Sequence, residues 1–226
     1  DTRISHDMLE SAIAAGLCSV GADVVTLGTV PTPAVAYLVA NSDADAAIML
    51  SASHNPYEFN GIKIFGAEGF KLTDEEEMEI EEIVLDHVLP YDLKWNDELG
   101  VIRSGETLVE QYIDHIVSTV EGDLSGIRVA ADCANGSASA TAAKIFAKLG
   151  ADVTILNDEP NGVNINDNCG STHIRRGRRP LPCGGRERRT GRRRQADRHL
   201  CFPAQAGGET CQRYRRRHRH EQYGLL

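Results

Sequence analysis

The sequence lacks the marks of a secreted, membrane-embedded or metal-clustered protein. Its six cysteines are scattered without paired ligand spacing, so neither a zinc module nor a disulfide scaffold is indicated. No apolar run approaches the roughly 20 residues that span a bilayer. The opening residues show no basic region followed by an apolar stretch. A reducing cytoplasm is the expected compartment, with no membrane partner. Cys18 and Cys133 stand in apolar surroundings and read as small core residues rather than nucleophiles.

Positive charge is scarce until late in the chain. Up to Ile174 there are 8 Lys+Arg against 29 Asp+Glu, whereas from Arg175 onward there are 16 Arg, no Lys and 4 Asp+Glu. The formal net charge of -9 therefore conceals two unlike parts. Residues 175–226 also contain no Ile, Val or Met, so they lack the material for ordinary strands and have little for a core. A chain of 226 residues can bury one large core or two modest ones.

What is present alternates. Met8, Leu9, Ile13, Ala14 and Leu17 recur at helical spacing, and Val24 to Leu27 reads as a strand. Thr32 is placed to cap a helix from Ala34 to Val39, with Pro33 in its first turn. Strands at Ala46–Leu50 and Ile62–Phe65 follow, then an acidic helix from Thr73 to about His87 opened by a Thr73/Glu76 capping box. Residues 89–105 read as a connection containing Pro90 and Gly100, and a helix runs from Leu108 to Val120. A second unit starts with the strand Ile127–Ala130, continues through a helix over 138–149 and ends in the strand Val153–Leu156. The alternation predicts an α/β fold with a boundary near Asp123. His6, His87 and His115 read as helix-surface residues, and Glu75 to Glu77 as a solvated helix start rather than a cation site.

The chemistry concentrates in Ser51-Ala52-Ser53-His54-Asn55-Pro56, followed by Asn60-Gly61-Ile62-Lys63. A buried strand delivers a hydroxyl, an imidazole and an amide into a short turn that Pro56 stops. Gly61 would let the backbone approach a ligand closely. Ser53 is a candidate phosphoryl carrier, and Lys63 a candidate to act on a hydroxyl or neutralise phosphate. An ordinary polar turn is the alternative that these residues alone leave open.

The arrangement resembles the phosphoserine loop of the alpha-D-phosphohexomutases, in which the serine of Ala-Ser-His-Asn-Pro carries the transferred phosphate. The likeness continues in Asp1-Thr2-Arg3-Ile4-Ser5, Pro31 to Leu38, Gly61 to Gly66, Asp132-Cys133-Ala134-Asn135-Gly136 and Pro160 to Asn166. Cys169-Gly170-Ser171-Thr172-His173 resembles the bacterial phosphoglucosamine mutase branch more than the phosphomannomutases. The resemblance implies mixed-sheet three-layer α/β domains, one nearly complete and one partial. Residues 1–122 would be domain I without its first residues, 123–174 the start of domain II, and 175–226 an aberrant or disordered arginine-rich tail. It further implies interconversion of glucosamine 6-phosphate and glucosamine 1-phosphate through a phosphoserine and a bisphosphate, for cell-wall precursor supply. Ser53 would carry the phosphoryl group and contribute to a Mg²⁺ site, His54 and Asn55 would orient the loop, and Lys63 would assist proton transfer. Arg3 would support the phosphoserine region or simply tie down the first loop. A lysine at its ordinary pKa of about 10.4 is a poor base at neutral pH, so the Lys63 role requires desolvation or a neighbouring positive charge. The substrate would be a hexosamine phosphate; mannose or glucose phosphates are the alternative within the family. The residues set no oligomeric state.

The sequence also departs from the family. The magnesium loop, Asp-Gly-Asp-x-Asp-Arg, does not occur; Asp197 stands alone among arginines, and one carboxylate is a poor site for a hard cation. The third and fourth domains of the family are absent from these residues. The tail reads as a nucleic-acid-binding arm, as a basic disordered segment, or as the product of a frameshift near Ile174. It has few aromatics and no recognition module, so specific nucleic-acid binding is not expected. Reading the codons of Arg213–Gly224 one nucleotide later permits a Val/Ile/Met-rich tract where the text is arginine and histidine. That property favours the frameshift. The genomic sequence around codon 174 is expected to show that a one- or two-nucleotide change restores a three-aspartate loop and an open frame beyond codon 226. If all three frames lack the loop, the tail is native.

Overall fold

The computed structural model describes residues 1–86 and 91–173. Residues 175–226, with Asp197, lie outside the described residues, as does His87. Helix α1 spans His6–Ser19. Gly21 ends it in a left-handed conformation at φ 92°, where its N–H reaches Cys18 O and that of Ala22 reaches Leu17 O. This pair of bonds satisfies the last carbonyls, and glycine has no Cβ to oppose the turn. Strand β1, Val24–Thr26, follows.

Helix α2 covers Thr32–Ala40 and begins two residues before the predicted Ala34. Pro31 occupies its N-cap, and the Thr32 side chain forms no cap bond. The two prolines set the entry angle in place of the expected hydroxyl cap. Strands β2, Ala46–Leu50, and β3, Ile62–Gly66, pair antiparallel with Met49 opposite Lys63. Helix α3, Asp74–Asp86, opens with the predicted capping box. Glu76 accepts the Thr73 N–H at 2.8 Å, and its own N–H reaches Thr73 Oγ1 at 3.3 Å.

The predicted connection 89–105 contains structure that periodicity does not reveal. A 3-10 turn at Asn96–Glu98 leads into β4, Ile102–Ser104, which pairs parallel with β1. Helix α4, Glu106–Ser118, precedes β5, Arg128–Asp132. The predicted helix 138–149 divides into a 3-10 turn, Ser137–Ala140, and helix α5, Ala142–Lys148. Strand β6, Asp152–Leu156, pairs parallel with β5. Alternating α/β topology with parallel and antiparallel pairs is thus the observed architecture.

One apolar cluster joins Val30, the α2 residues Ala34, Val35, Leu38 and Val39, the strand residues Met49 and Phe65, and Tyr112 of α4. Tyr37 leans on Tyr112 and stacks on His115, with ring centroids 3.9 Å apart in the second pair. His115 is therefore a packed side chain rather than the solvated one expected. On its other side α4 meets α5 through Lys144–Glu110 at 2.6 Å and Lys148–Asp114 at 2.5 Å. Exposed ion pairs contribute about 0–1 kcal/mol each, whereas burying Tyr112 and Ile113 stabilises by about 1.5–3 kcal/mol apiece. Apolar packing fixes α4, and the ion pairs orient it. Among the described residues no helix is long and apolar enough to cross a membrane.

Gly61 brings the two ends of the loop together. A Cβ there would sit 2.7 Å from Ser51 O, and the Gly61 carbonyl accepts the Ser51 N–H at 2.8 Å. The close approach seen is between the two ends of the loop. Gly61→Ala is expected to destabilise the fold by about 1–3 kcal/mol through backbone crowding. A lower thermal midpoint by circular dichroism would show it; an unchanged midpoint would show that the loop yields.

Candidate active site

The loop after β2 is held by residues far away in sequence. Ser53 sits at φ 55°, a left-handed conformation that costs a non-glycine residue about 1–2 kcal/mol. Its N–H reaches Ser51 Oγ at 3.1 Å, and Asn55 N–H reaches Ala52 O at 3.2 Å. The outward carbonyls of Ser53 and Asn55 meet two donors. Arg3 Nη2 lies 3.3 Å from Ser53 O and 2.7 Å from Asn55 O. Asn166 Nδ2 lies 3.2 Å and 3.1 Å from the same two atoms. Hydrogen bonds from a charged donor stabilise by about 1.5–3 kcal/mol, enough to offset the strain at Ser53.

Arg3 is itself fixed. It is buried, pairs with the buried Asp1 carboxylate through Nη1, and donates its backbone N–H to Asp1 Oδ1 at 3.1 Å. Burial draws its guanidinium below the ordinary value, but arginine stays charged at neutral pH. The opening segment also reaches the loops after β5 and β6: Ile4 N–H donates to Gly162 O at 2.8 Å and Thr2 Oγ1 to Asn135 O at 2.6 Å. Asp132 closes that side by accepting from Ala134 N, Asn157 Nδ2 and Gly170 N at 2.9–3.0 Å. Residues 1–5 therefore lie between the Ser53 loop and the loops after β5 and β6.

The structure brings Ser53, Asn55 and Arg3 together. The Asn55 backbone carbonyl, rather than its exposed side chain, carries the contact. His54 is exposed and adjoins Ser53 in the turn. Lys63 lies on β3 in the register opposite buried Met49 and forms no ion pair among the described residues. His6 is packed beside Asp7 and Glu10 rather than at the loop. Asn166 carries no site signal of its own in the sequence, although it closes the Pro160–Asn166 segment that carries the family likeness. Ser53 is half-buried and its hydroxyl makes no hydrogen bond among the described residues. An unpartnered hydroxyl on a turn whose backbone is held can accept and donate a phosphoryl group.

Comparison with known proteins gives this geometry a lineage. Residues 1–88 match the family described as phosphoglucomutase/phosphomannomutase, alpha/beta/alpha domain I. The phosphoglucosamine mutase of Acetivibrio thermocellus is 53% identical over 174 residues, which cover 77% of this chain and 39% of that protein. The phosphoglucosamine mutase of Clostridium acetobutylicum is 51% identical over 173 residues, covering 76% and 39% respectively. A crystal structure of a phosphoglucomutase/phosphomannomutase family protein from Burkholderia thailandensis superposes with a TM-score of 0.60 at 26% identity, covering 71% of this chain and 35% of that one. The chain is a homologue of this family, and it spans about 39% of the length of the curated relatives it matches.

The three described cysteines, Cys18, Cys133 and Cys169, stand apart from this chemistry. Burial, with Asp158 and Asp132 nearby, raises the Cys133 thiol from 9.0 to about 11. Burial raises the Cys169 thiol as well. Peptide mapping after iodoacetamide treatment at about pH 8 is expected to show Cys18, which is half-buried, modified before Cys133 and Cys169. The folded state favours the neutral Cys133 thiol, so its contribution to stability is complete below about pH 9 and is lost as pH rises toward 11. Rapid alkylation of Cys133 in the folded chain would contradict this account.

Proposed function

We propose, from the homology of this chain to the phosphohexomutases, that the intact protein interconverts glucosamine 6-phosphate and glucosamine 1-phosphate. The observation that carries the reading is the Ser53 loop, whose backbone carbonyls are held by Arg3 and Asn166 while the Ser53 hydroxyl stays free, in a sequence half-identical to phosphoglucosamine mutases over the matched residues. In the forward step the sugar hydroxyl attacks the phosphorus of phospho-Ser53, the P–Oγ bond breaks, and the proton lost by the sugar hydroxyl is balanced by the one that Ser53 Oγ takes up as it leaves. The resulting bisphosphate turns over and returns its other phosphoryl group to Ser53 Oγ. Lys63 would assist the proton transfer or neutralise phosphate, His54 and Asn55 would shape the loop, and Arg3 would support it.

Dependence on Mg²⁺ belongs to the same reading and would supply charge neutralisation during phosphoryl transfer. Among the described residues no group of three or more His, Cys, Asp or Glu side chains is placed to hold a metal. Ser53 offers one oxygen where a hard cation needs several, so these residues do not form the metal site by themselves. Residues 1–122 are assigned to domain I and 123–174 to the start of domain II. The substrate is a hexosamine phosphate, and the compartment the cytoplasm.

The gene product carrying the three-aspartate loop is expected to isomerise the glucosamine phosphates in a coupled assay. Ser53→Ala is expected to reduce kcat on the order of 10⁴-fold or more, the scale of losing a covalent nucleophile. The 226-residue polypeptide alone is expected to show no turnover, because it lacks the carboxylate loop. Preference for mannose or glucose phosphates would move the assignment to another branch of the family. Measurable turnover by residues 1–226 would overturn the role given to the missing loop.

A further inference from the structure

The shared contacts on the Ser53 and Asn55 carbonyls extend the site to a residue outside the phosphoserine turn. Asn166 is buried, and its backbone N–H is fixed on Ala134 O at 2.9 Å. Its φ of 60° lies in the left-handed region, which asparagine tolerates better than most residues. The side-chain NH₂ then has one hydrogen for each of two carbonyl oxygens, 3.2 Å and 3.1 Å away. Only the nitrogen end can face that pair, since an oxygen would set three acceptors against one another. Arg3 already donates to both carbonyls, so each accepts two bonds and its lone pairs are filled.

We infer that Asn166 is a positioning residue for the proposed phosphoryl carrier, fixing the Ser53 loop through its backbone carbonyls from the loop after β6. The inference rests on the reading of Ser53 as that carrier. Arg3 fixes the loop from the opening segment, and Asn166 fixes it from the loop after β6. With the carbonyls pinned from both sides, the Ser53 backbone is held in its strained conformation, and with it the direction in which Cβ leaves the turn. Displacement of a reacting atom by about 1 Å costs roughly 10²-fold in rate, so a contact that never touches substrate can still govern turnover.

Asn166→Asp tests this with little change in shape: it keeps a side chain that tolerates positive φ, but it replaces the donor with a carboxylate facing two carbonyl oxygens. Asn168→Asp is the control, because Asn168 has φ 52° and among the described residues its Nδ2 bonds only the neighbouring Asp167. Hydrogen exchange on the 226-residue chain is expected to become about tenfold faster at the Ser51, Ser53 and Asn55 amides in Asn166→Asp, the scale of one lost net hydrogen bond. Exchange in β5, Arg128–Asp132, is expected to stay unchanged, and Asn168→Asp to match the parent at both places. If Asn166→Asp does not fold, Asn166→Gly deletes the amide and keeps the left-handed backbone, with the same expectation. Unchanged exchange at residues 51–55, or equal acceleration in β5, would overturn the inference. In the full-length gene product Asn166→Asp is expected to lower kcat about 10²-fold with KM little changed; an unaltered kcat would likewise overturn it. A parent protein that isomerises no sugar phosphate refutes the mutase reading, while the exchange result still decides whether Asn166 fixes the loop.

Discussion

Two backbone carbonyls, of Ser53 and Asn55, are the point on which this structure converges. Peptide oxygens are ordinary acceptors, and what distinguishes these two is the distance in sequence from which their donors come. Arg3 belongs to the opening segment and Asn166 to the loop after β6. Between them they hold a serine in a conformation it would not choose alone. Without that convergence β2 would end in a polar turn of no particular shape.

The same economy appears one level up. The described elements pair in twos, β1 with β4, β2 with β3 and β5 with β6, and no single sheet unites them. Continuity comes from α4, which packs Tyr112 into the first core and pairs with α5 on its other side, and from residues 1–5. The buried Asp1–Arg3 pair is costly to desolvate and gains its value by orienting a planar donor at the loop.

Much of this could be read in advance wherever a local rule decides the outcome. The strand Ala46–Leu50 is bounded by polar residues, the Thr73/Glu76 box is a four-residue pattern, and the Ser53 turn follows a strand and ends at proline. The rest depends on partners distant in sequence. Strand β4 is three exposed residues and becomes a strand only because β1 lies alongside. Nothing in a serine announces positive φ, since the clamp that enforces it includes a residue 113 positions later. Gly61 was legible as a close approach, but its neighbour is the chain's own Ser51 carbonyl. For Lys63 the pattern gives a place on β3 and no partner.

The separation of the two donors also imposes an order in time. A ribosome adds about 5–20 residues per second, so the 113 positions between Ser53 and Asn166 correspond to roughly 6–23 s of synthesis. During that interval Arg3, already made, is the nascent chain's only means of holding the turn among these two donors. The loop is therefore half-secured at birth and locked only when the later unit arrives, which gives a growing chain a built-in delay before the backbone that carries its nucleophile is held.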